Sequence, residues 1–147
     1  MSSNQLSYVL PTEIGKLIRL KEMLVQDNKL LGPLPPEISN LETLQLFNMA
    51  DNFVFQAILS EIGVLRNLDS LDLSRNLLTG SLPSSLRSLT RLSSFCLGDN
   101  FLNGKVHGVD DAKKSNEQFV LLPLLSDSLL ELDPSSNFLT GTLPEEI

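Results

Sequence analysis

Few side chains in this sequence could take part in catalysis. There is one cysteine, Cys96, and one histidine, His107, among 147 residues. A thiol nucleophile needs a base within hydrogen-bond reach, and His107 lies eleven residues further along the chain. A single cysteine also excludes an internal disulfide and a multi-cysteine zinc site. We therefore expect no catalytic residue and interpret Cys96 as a small surface side chain.

Two other patterns resemble ligand sites only superficially. Gly98 and Gly104 followed by Lys105 suggest a phosphate loop, but five residues separate the glycines instead of four. Val106 also stands where such a loop carries serine or threonine. The pair Asp110 and Asp111 has no further oxygen ligands at useful spacing. We predict no nucleotide, metal or other cofactor.

The charge balance limits the class of partner. Asp and Glu number 18 against 11 Lys and Arg, which gives a net charge of −7. Such a chain is repelled by nucleic acids and by anionic membrane surfaces.

Residues 1–5 have no basic or apolar character typical of a signal peptide, and Pro123 interrupts the longest apolar run, residues 119–125. We expect this segment neither to carry a leader nor to enter a membrane.

The chain is built from an internal repeat of 24 residues. Asparagine recurs at this interval, and if it is counted as position 12, positions 1, 4, 7, 9, 14, 18 and 22 are apolar in almost every unit. The repeating asparagines are Asn28, Asn52, Asn76 and Asn100, and Asn137 occupies the same position in a last unit. The predicted units are a partial repeat 1–16, repeats 17–40, 41–64, 65–88 and 89–112, and a final partial repeat 126–147.

The order of residue types within a unit predicts its local structure. Positions 7 and 9 alternate with polar residues, which is typical of a short strand with one buried face, and such strands stack as a parallel sheet. The asparagine follows this strand, and its amide can bond backbone groups of its own turn and the next one. Glycine at position 16 permits a bend, and proline at position 19 favours an extended return segment. We expect short 3₁₀ turns on the return side.

These residues resemble the plant-type leucine-rich repeat. The pattern L-x-x-L-x-x-L-x-L-x-x-N-x-L-x-G-x-[LIV]-P-x-x-[LI]-x-x-L is matched at every fixed position by residues 65–89. The resemblance implies an α/β-type repeat solenoid, a right-handed superhelix with a concave parallel β-sheet and a convex side of short 3₁₀ turns and loops. This class occurs in ectodomains of plant receptor-like kinases and receptor-like proteins. Secreted polygalacturonase inhibitors share it.

The repeat has three departures from its own pattern. Gln56 and Leu59 replace the glycine and proline of the second full repeat, and we expect the bend to survive with other dihedral angles at about 1 kcal/mol or less. Pro134 falls in the last predicted strand, which favours a position at an edge of the sheet. About thirteen extra residues form an irregular insertion at about 107–125, either a functional loop or a tolerated insertion.

The predicted binding surface is the concave face of the strands, at positions 5, 6, 8, 10 and 11. Eight acidic residues and two basic residues stand there, which gives −6 of the net −7. An acidic strip favours a basic ligand. The alternative is that aspartate is simply common at these solvent-exposed positions of the repeat and has no role in binding. The candidate ligand-binding residues are Lys21, Glu22, Leu24, Gln26, Gln45, Asn48, Asp69, Asp72, Ser74, Arg75, Ser94, Cys96, Glu131 and Asp133.

The resemblance implies a recognition module and no enzyme. We expect a peptide or protein ligand of basic character, and a co-receptor, at the extracellular face of the plasma membrane. A kinase would require a C-terminal extension, because no kinase motif is present in the sequence. Two alternatives remain: a secreted inhibitor of a cell-wall hydrolase, and a truncated repeat segment without independent function.

Overall fold

The protein folds as a solenoid of stacked turns. The structure is a computed structural model that describes residues 6–106 and 129–141. Within these ranges, eleven short strands form two parallel sheets, and four 3₁₀ helices lie on the return side. This arrangement confirms the predicted class of fold.

The first sheet, called the inner sheet, contains the strands predicted from positions 7 and 9. Its order is β2-β4-β6-β8-β10, all parallel. Its strands are β2 (Glu22–Leu24), β4 (Leu46–Asn48), β6 (Ser70–Asp72), β8 (Ser94–Cys96) and β10 (Glu131–Asp133). Equivalent positions of successive repeats lie opposite each other, and this includes Ser94 opposite Glu131. The last repeat therefore continues the sheet although 37 residues, not 24, separate this pair.

The second sheet, called the lateral sheet, was not predicted. Its order is β1-β3-β5-β7-β9-β11, again all parallel. Its strands are β1 (Ser7–Tyr8), β3 (Lys29–Gly32), β5 (Phe53–Gln56), β7 (Leu77–Gly80), β9 (Phe101–Val106) and β11 (Phe138–Gly141). Every strand except β1 begins directly after the repeated asparagine, so every complete turn supplies one strand to each sheet.

The return side consists of 3₁₀ helices, as predicted. They are η1 (Thr12–Lys16), η2 (Pro36–Asn40), η3 (Ser60–Val64) and η4 (Ser84–Ser88). Each follows an extended residue, Pro11, Pro35, Leu59 or Pro83. Leu59 has φ −67° and ψ 142°, close to the values of the prolines, so this replacement leaves the backbone path unchanged.

The hydrophobic core lies between the two sheets and the 3₁₀ helices. Position 7 shows the stacking most clearly, because Met23, Phe47, Leu71 and Phe95 lie opposite one another and are all buried. Leucines at positions 1 and 4 complete each layer, as Leu65 and Leu68 do with no exposed surface. Each apolar position of the repeat thus forms a buried column of side chains through successive turns. These columns join neighbouring repeats into one core.

The bend at Gln56 survives as expected, but the expectation of other dihedral angles was wrong. The backbone keeps the left-handed conformation at this residue, with φ 73°, close to the 75° of Gly80 one repeat later. Tyr8, at the same position of the first partial repeat, has φ 80°. A change of dihedral angles would break the register of the lateral sheet, because Gln56 pairs with Leu78. The strain, about 1–2 kcal/mol for a residue with a Cβ, is therefore retained.

Several sequence predictions concern residues outside the described ranges. The insertion at about 107–125 lies there, together with His107, Asp110 and Asp111. Pro134, by contrast, directly follows β10, which is the edge strand of the inner sheet in the described part of the chain. No helix among the described residues is long and apolar enough to cross a bilayer.

Candidate functional site: the concave face of the inner sheet

Two rows of side chains cover the outer surface of the inner sheet, here called the concave face. Strand pairing aligns position 6, with Glu22, Leu46, Ser70, Ser94 and Glu131, and position 8, with Leu24, Asn48, Asp72, Cys96 and Asp133. All ten are exposed or half-buried, whereas the core residues at position 7 between them point inward. The face is therefore a continuous strip across five strands.

The polar residues at position 8 have a local structural role. Asn48, Asp72 and Asp133 each accept a hydrogen bond through Oδ1 from the backbone N–H two residues later, at 2.9, 3.0 and 3.0 Å. This is the Asx turn, which satisfies the backbone where the strand ends. One carboxylate oxygen of each aspartate is used in this way, so position 8 combines a structural contact with negative charge on the face.

Position 11 has a different reason for its residue types. Asp27, Asp51, Arg75, Asp99 and Ser136 all have φ between 49° and 56°. Aspartate tolerates this left-handed region better than most residues with a Cβ. Part of the acidic strip is therefore explained by backbone conformation, which supports the alternative interpretation for Asp27, Asp51 and Asp99.

An ion pair crosses the face between two repeats. The Arg75 guanidinium donates from Nε to Asp51 Oδ1 at 2.7 Å. This hydrogen bond and the charge of Asp51 raise the pKa of Arg75 above its ordinary value, and Asp72 and Asp99 add to the effect. The pair is solvent-exposed and contributes about 1 kcal/mol or less. The ion pair nevertheless orients Arg75, one of the two cations of the concave face, toward Asp51.

Cys96 is half-buried beside the acidic residues of the neighbouring strands. Burial raises the pKa of its thiol, and the charges of Asp72, Glu131 and Asp133 raise it further, against a smaller effect of the hydrogen bond with Ser94. The thiolate is therefore scarce at neutral pH, and the sulfur is a weak nucleophile.

At the last two inner strands, the acidic side chains have well-defined partners. Ser94 donates its hydroxyl to Glu131 at 2.7 Å, which joins β8 and β10. The hydroxyl and N–H of Ser135 lower the pKa of Asp133, with a smaller effect of Arg75. A Cβ on Gly98 would lie 2.7 Å from Asp133 Oδ2, so a larger residue there would displace this carboxylate. The sequence offered no sign of this role of Gly98.

The remaining predicted site residues divide into exposed and inward-facing ones. Lys21, Gln45 and Asp69 are exposed at position 5. Ser74 is buried and donates its hydroxyl to Asp72 Oδ1 at 2.6 Å, so it supports that carboxylate and does not face a ligand. Gln26 is half-buried at position 10. Leu46 and Ser70, which were not among the candidates, complete the strip at position 6.

The repeated asparagines link the two sheets. Asn76 shows the pattern: Nδ2 donates to the carbonyls of Leu73 and Ser74 in its own turn and of Met49 in the preceding turn, at 2.9–3.2 Å. Its Oδ1 accepts from the N–H of Val54 at 3.0 Å. The same pattern holds for Asn52, Asn100 and Asn137. The neighbouring turn is thus the preceding one, not the next one as expected.

Together these asparagines form a ladder of hydrogen bonds along the solenoid, here called the asparagine ladder. Asn28 is the first of them in the described part of the chain. Its Nδ2 donates to the carbonyls of Val25 and Gln26, and its Oδ1 accepts from the N–H of Leu6 at 3.1 Å. Among the residues that the structure describes, no three or more His, Cys, Asp or Glu side chains form a group that could hold a metal ion.

Comparison with known proteins gives matches to one family and to its solved structures. The family model described as Leucine Rich Repeat matches residues 19–41 and 67–89. The plant peptide hormone receptor RGFR1 in complex with RGF2 superposes on 98% of the chain with a TM-score of 0.83 and 32% identity. The chain folds as a leucine-rich repeat solenoid, and its repeats are similar to those of a plant receptor ectodomain. No curated protein matches it by sequence.

Other structures show how widely this leucine-rich repeat fold is used. The Arabidopsis receptor kinase HAESA in complex with the peptide hormone IDA and the co-receptor SERK1 matches 98% of the chain with a TM-score of 0.78 and 25% identity. A plant ice-binding protein matches 98% with a TM-score of 0.74 and 25% identity, and the chain covers 43% of it. The fold alone therefore does not decide function.

The chain spans 21% of the RGFR1 structure and 22% of the HAESA structure. The similarity thus covers a few turns of a larger receptor array.

Proposed function

We propose that this leucine-rich repeat protein is a non-enzymatic, ligand-binding segment of a receptor-like kinase or receptor-like protein ectodomain, and that its concave face binds a basic, extended peptide. The similarity to RGFR1 and HAESA supports a peptide ligand, since RGFR1 is a peptide hormone receptor and HAESA binds the peptide hormone IDA. HAESA is also in complex with the co-receptor SERK1, which supports a second protein partner. The choice of a basic ligand rests on the charge of the concave face.

The charge of the concave face is the observation that carries the proposal. Eight carboxylates and two cations stand at its five outward positions, a difference of −6. One of the cations, Arg75, is paired with Asp51. Asp69 and Glu131 have neither the Asx-turn contact of position 8 nor the left-handed backbone of position 11. Such a surface attracts a cationic ligand and accelerates its encounter.

The size of the face sets the length of the ligand. Five parallel strands at about 4.8 Å spacing span roughly 19 Å. An extended peptide rises about 3.3 Å per residue, so about six residues cross the strip. Leu24, Leu46 and the 87%-exposed Leu130 offer apolar contacts along this path.

Replacement of Asp69, Asp72 and Asp133 together by asparagine tests the proposal. Asn48 occupies the same position as Asp72 and Asp133 and accepts the same hydrogen bond, so asparagine preserves the turn. The probe is a labelled octapeptide with four lysines and no acidic residue. We expect its affinity to fall about tenfold at low ionic strength and the difference to shrink as salt is added.

A charge-matched control separates position from net charge. Glu13→Gln, Glu42→Gln and Glu61→Gln remove three exposed carboxylates outside the inner sheet. We expect this triple variant to bind the octapeptide as the parent chain does. Equal weakening by both variants, or no weakening by the first, would exclude the concave face as the site of a basic ligand.

The receptor assignment has its own test. An antibody raised against the chain should detect a glycosylated band in the membrane fraction of plant cells. That band should be digested by protease added to intact protoplasts. A soluble, protease-protected band that matches the mass of the chain would overturn the extracellular assignment, whatever the outcome of the peptide experiment.

A further inference from the structure

The outer surface of the lateral sheet carries a row of exposed apolar side chains, here called the lateral patch. Positions 13 and 15 of each repeat point outward on this sheet, while position 14 is buried. The patch consists of Leu31, Phe53, Phe55, Leu77, Phe101 and Phe138, which are 38–64% exposed. Four of the seven phenylalanines in the sequence therefore lie on one solvent-facing surface.

Strand pairing makes the lateral patch continuous. Leu31 lies opposite Phe53, and Phe55 lies opposite Leu77. Phe53 and Phe55 are two residues apart on β5 and share its outer face. The rings of Phe101 and Phe138 stack with centroids 6.4 Å apart and an interplanar angle of 21°. Only Thr79 and Asn103 interrupt the row with small polar side chains.

The area of the patch is close to what an interface requires. Phe53, Phe55, Phe101 and Phe138 are 50, 38, 49 and 64% exposed. At about 200 Å² for a whole aromatic side chain, these rings present roughly 400 Å², and the two leucines add to it. A stable dimer buries about 800 Å² per partner, of which about two thirds is apolar. The patch therefore supplies most of the apolar part of such an interface.

The charge distribution identifies the occupant. A chain of net charge −7 is repelled by its own copy, and a concave face of −6 makes that surface the least suited to self-association. Between Leu31 and Phe138, positions 13 and 15 carry no charged side chain, and Lys29 on β3 stands only at the end of the row, so two copies can meet there with little repulsion. We propose that the lateral patch is the interface of a symmetric homodimer, formed by two lateral sheets packed face to face.

The row also has a shape that fits a copy of itself. Leu77 lies near its middle, with two rings on one side and two on the other. A twofold axis that runs along β7 between the two sheets places Phe53 and Phe55 on β5 of one copy against Phe101 on β9 of the second. The same axis places Leu31 on β3 against Phe138 on β11. The short side chains of Thr79 and Asn103 leave gaps that opposing rings fill, as in other isologous contacts.

Analytical ultracentrifugation of the full chain tests the dimer. We expect a species of twice the chain mass at micromolar to high-micromolar concentration. The double variant Phe53→Ser/Phe101→Ser should weaken the dimer at least about 100-fold, because aromatic side chains at the centre of an interface carry most of its energy. Circular dichroism should show an unchanged fold, since both rings are about half exposed.

The control removes an exposed apolar side chain elsewhere. Ile18→Ser lies outside both sheets, where Ile18 is 60% exposed, and should leave the dimer intact. A chain that is monomeric at all concentrations overturns the proposal. So does a dimer that survives the double variant, because association would then use another surface, such as the apolar end lined by Leu17 and Leu20.

Discussion

The two sheets arise from the same repeat, yet they present opposite chemistry to solvent. The concave face carries eight carboxylates and a few scattered apolar side chains, whereas the lateral patch is aromatic and uncharged. The repeated asparagine separates them: residues before it face the concave side, and residues after it reach the lateral side. One short sequence unit therefore controls two independent surfaces, and a substitution can change one without the other.

The largest expected effect comes from removing the residue that joins the two surfaces. Asn76→Ala leaves the buried N–H of Val54 without its partner and removes three hydrogen bonds to carbonyls that each keep a second donor. The unsatisfied N–H costs about 1–3 kcal/mol and each further hydrogen bond about 1 kcal/mol, so we expect a loss of about 4 kcal/mol or more, or failure to fold. Urea unfolding followed by circular dichroism measures it.

Asn67→Ala is the control for that experiment. Asn67 is exposed and donates to the carbonyl of Glu42 at 2.8 Å, so its removal should cost less than about 1 kcal/mol. A comparable cost for the two variants would mean that the ladder contributes no more than a surface hydrogen bond.

The next comparison uses two phenylalanines of one repeat, one on each side of the asparagine. Phe95 has no exposed surface in the core, and Phe101 is 49% exposed in the lateral patch. Phe95→Ala should destabilise by about 3–5 kcal/mol, and Phe101→Ala by about 1 kcal/mol or less. Unfolding is measured at a dilution where any dimer has dissociated. Equal losses would mean that the lateral ring belongs to the core.

A smaller and opposite effect is expected at the strained residue of the lateral sheet. Gln56→Gly relieves a side chain held at φ 73°, and the gain of about 0.5–1 kcal/mol remains after the greater freedom of glycine in the unfolded chain. Thermal unfolding should show a higher midpoint. The reverse change, Gly80→Ala at φ 75°, should lower it, and its Cβ would also meet that of Ala57 at 3.3 Å.

The smallest effect concerns the acidic end of the concave face. The pKa of Asp133 is lowered by the hydroxyl and the N–H of Ser135, so its carboxylate stabilises the fold above the ordinary carboxyl range. This contribution is lost as pH falls through the lowered pKa. Asp133→Asn should therefore reduce stability slightly at pH 7 and leave it unchanged at strongly acid pH. A difference between the two chains that grows as pH falls would contradict this sign.

The inner sheet could be predicted because its residues alternate sharply. Leu71 and Leu73 are apolar and alternate with polar side chains at residues 70, 72 and 74, which leaves one face for the core. The lateral sheet was missed because each of its strands contains a residue in the left-handed region at position 16. This residue is glycine in four of the six strands, a feature that indicates a bend. The signal that could have revealed it is the buried residue at position 14 between two outward residues, as Val54 lies between Phe53 and Phe55.

The concave site was predictable in position but not in the use of each side chain. Strand alternation correctly placed Asp72 and Cys96 on the outer surface. It could not show that Ser74 turns inward to Asp72, or that Gly98 is needed for Asp133, because both depend on contacts between neighbouring residues or repeats. The backbone conformation of Gln56 was not predicted for the same reason. Pairing with Leu78 on the next strand holds Gln56 in the left-handed region, which a residue with a Cβ disfavours.

The direction of the asparagine ladder has a consequence for the order in which the array is built and lost. Each amide completes the turn before its own, so a turn emerging from the ribosome stays unsatisfied until the next asparagine follows it, usually 24 residues later. We therefore expect the array to grow from the amino end to the carboxyl end. Under mechanical tension at the carboxyl end, the chain should release its turns singly. Each release should uncover the backbone groups that pair between the turns, together with the carbonyl and the N–H that the departing asparagine had bound.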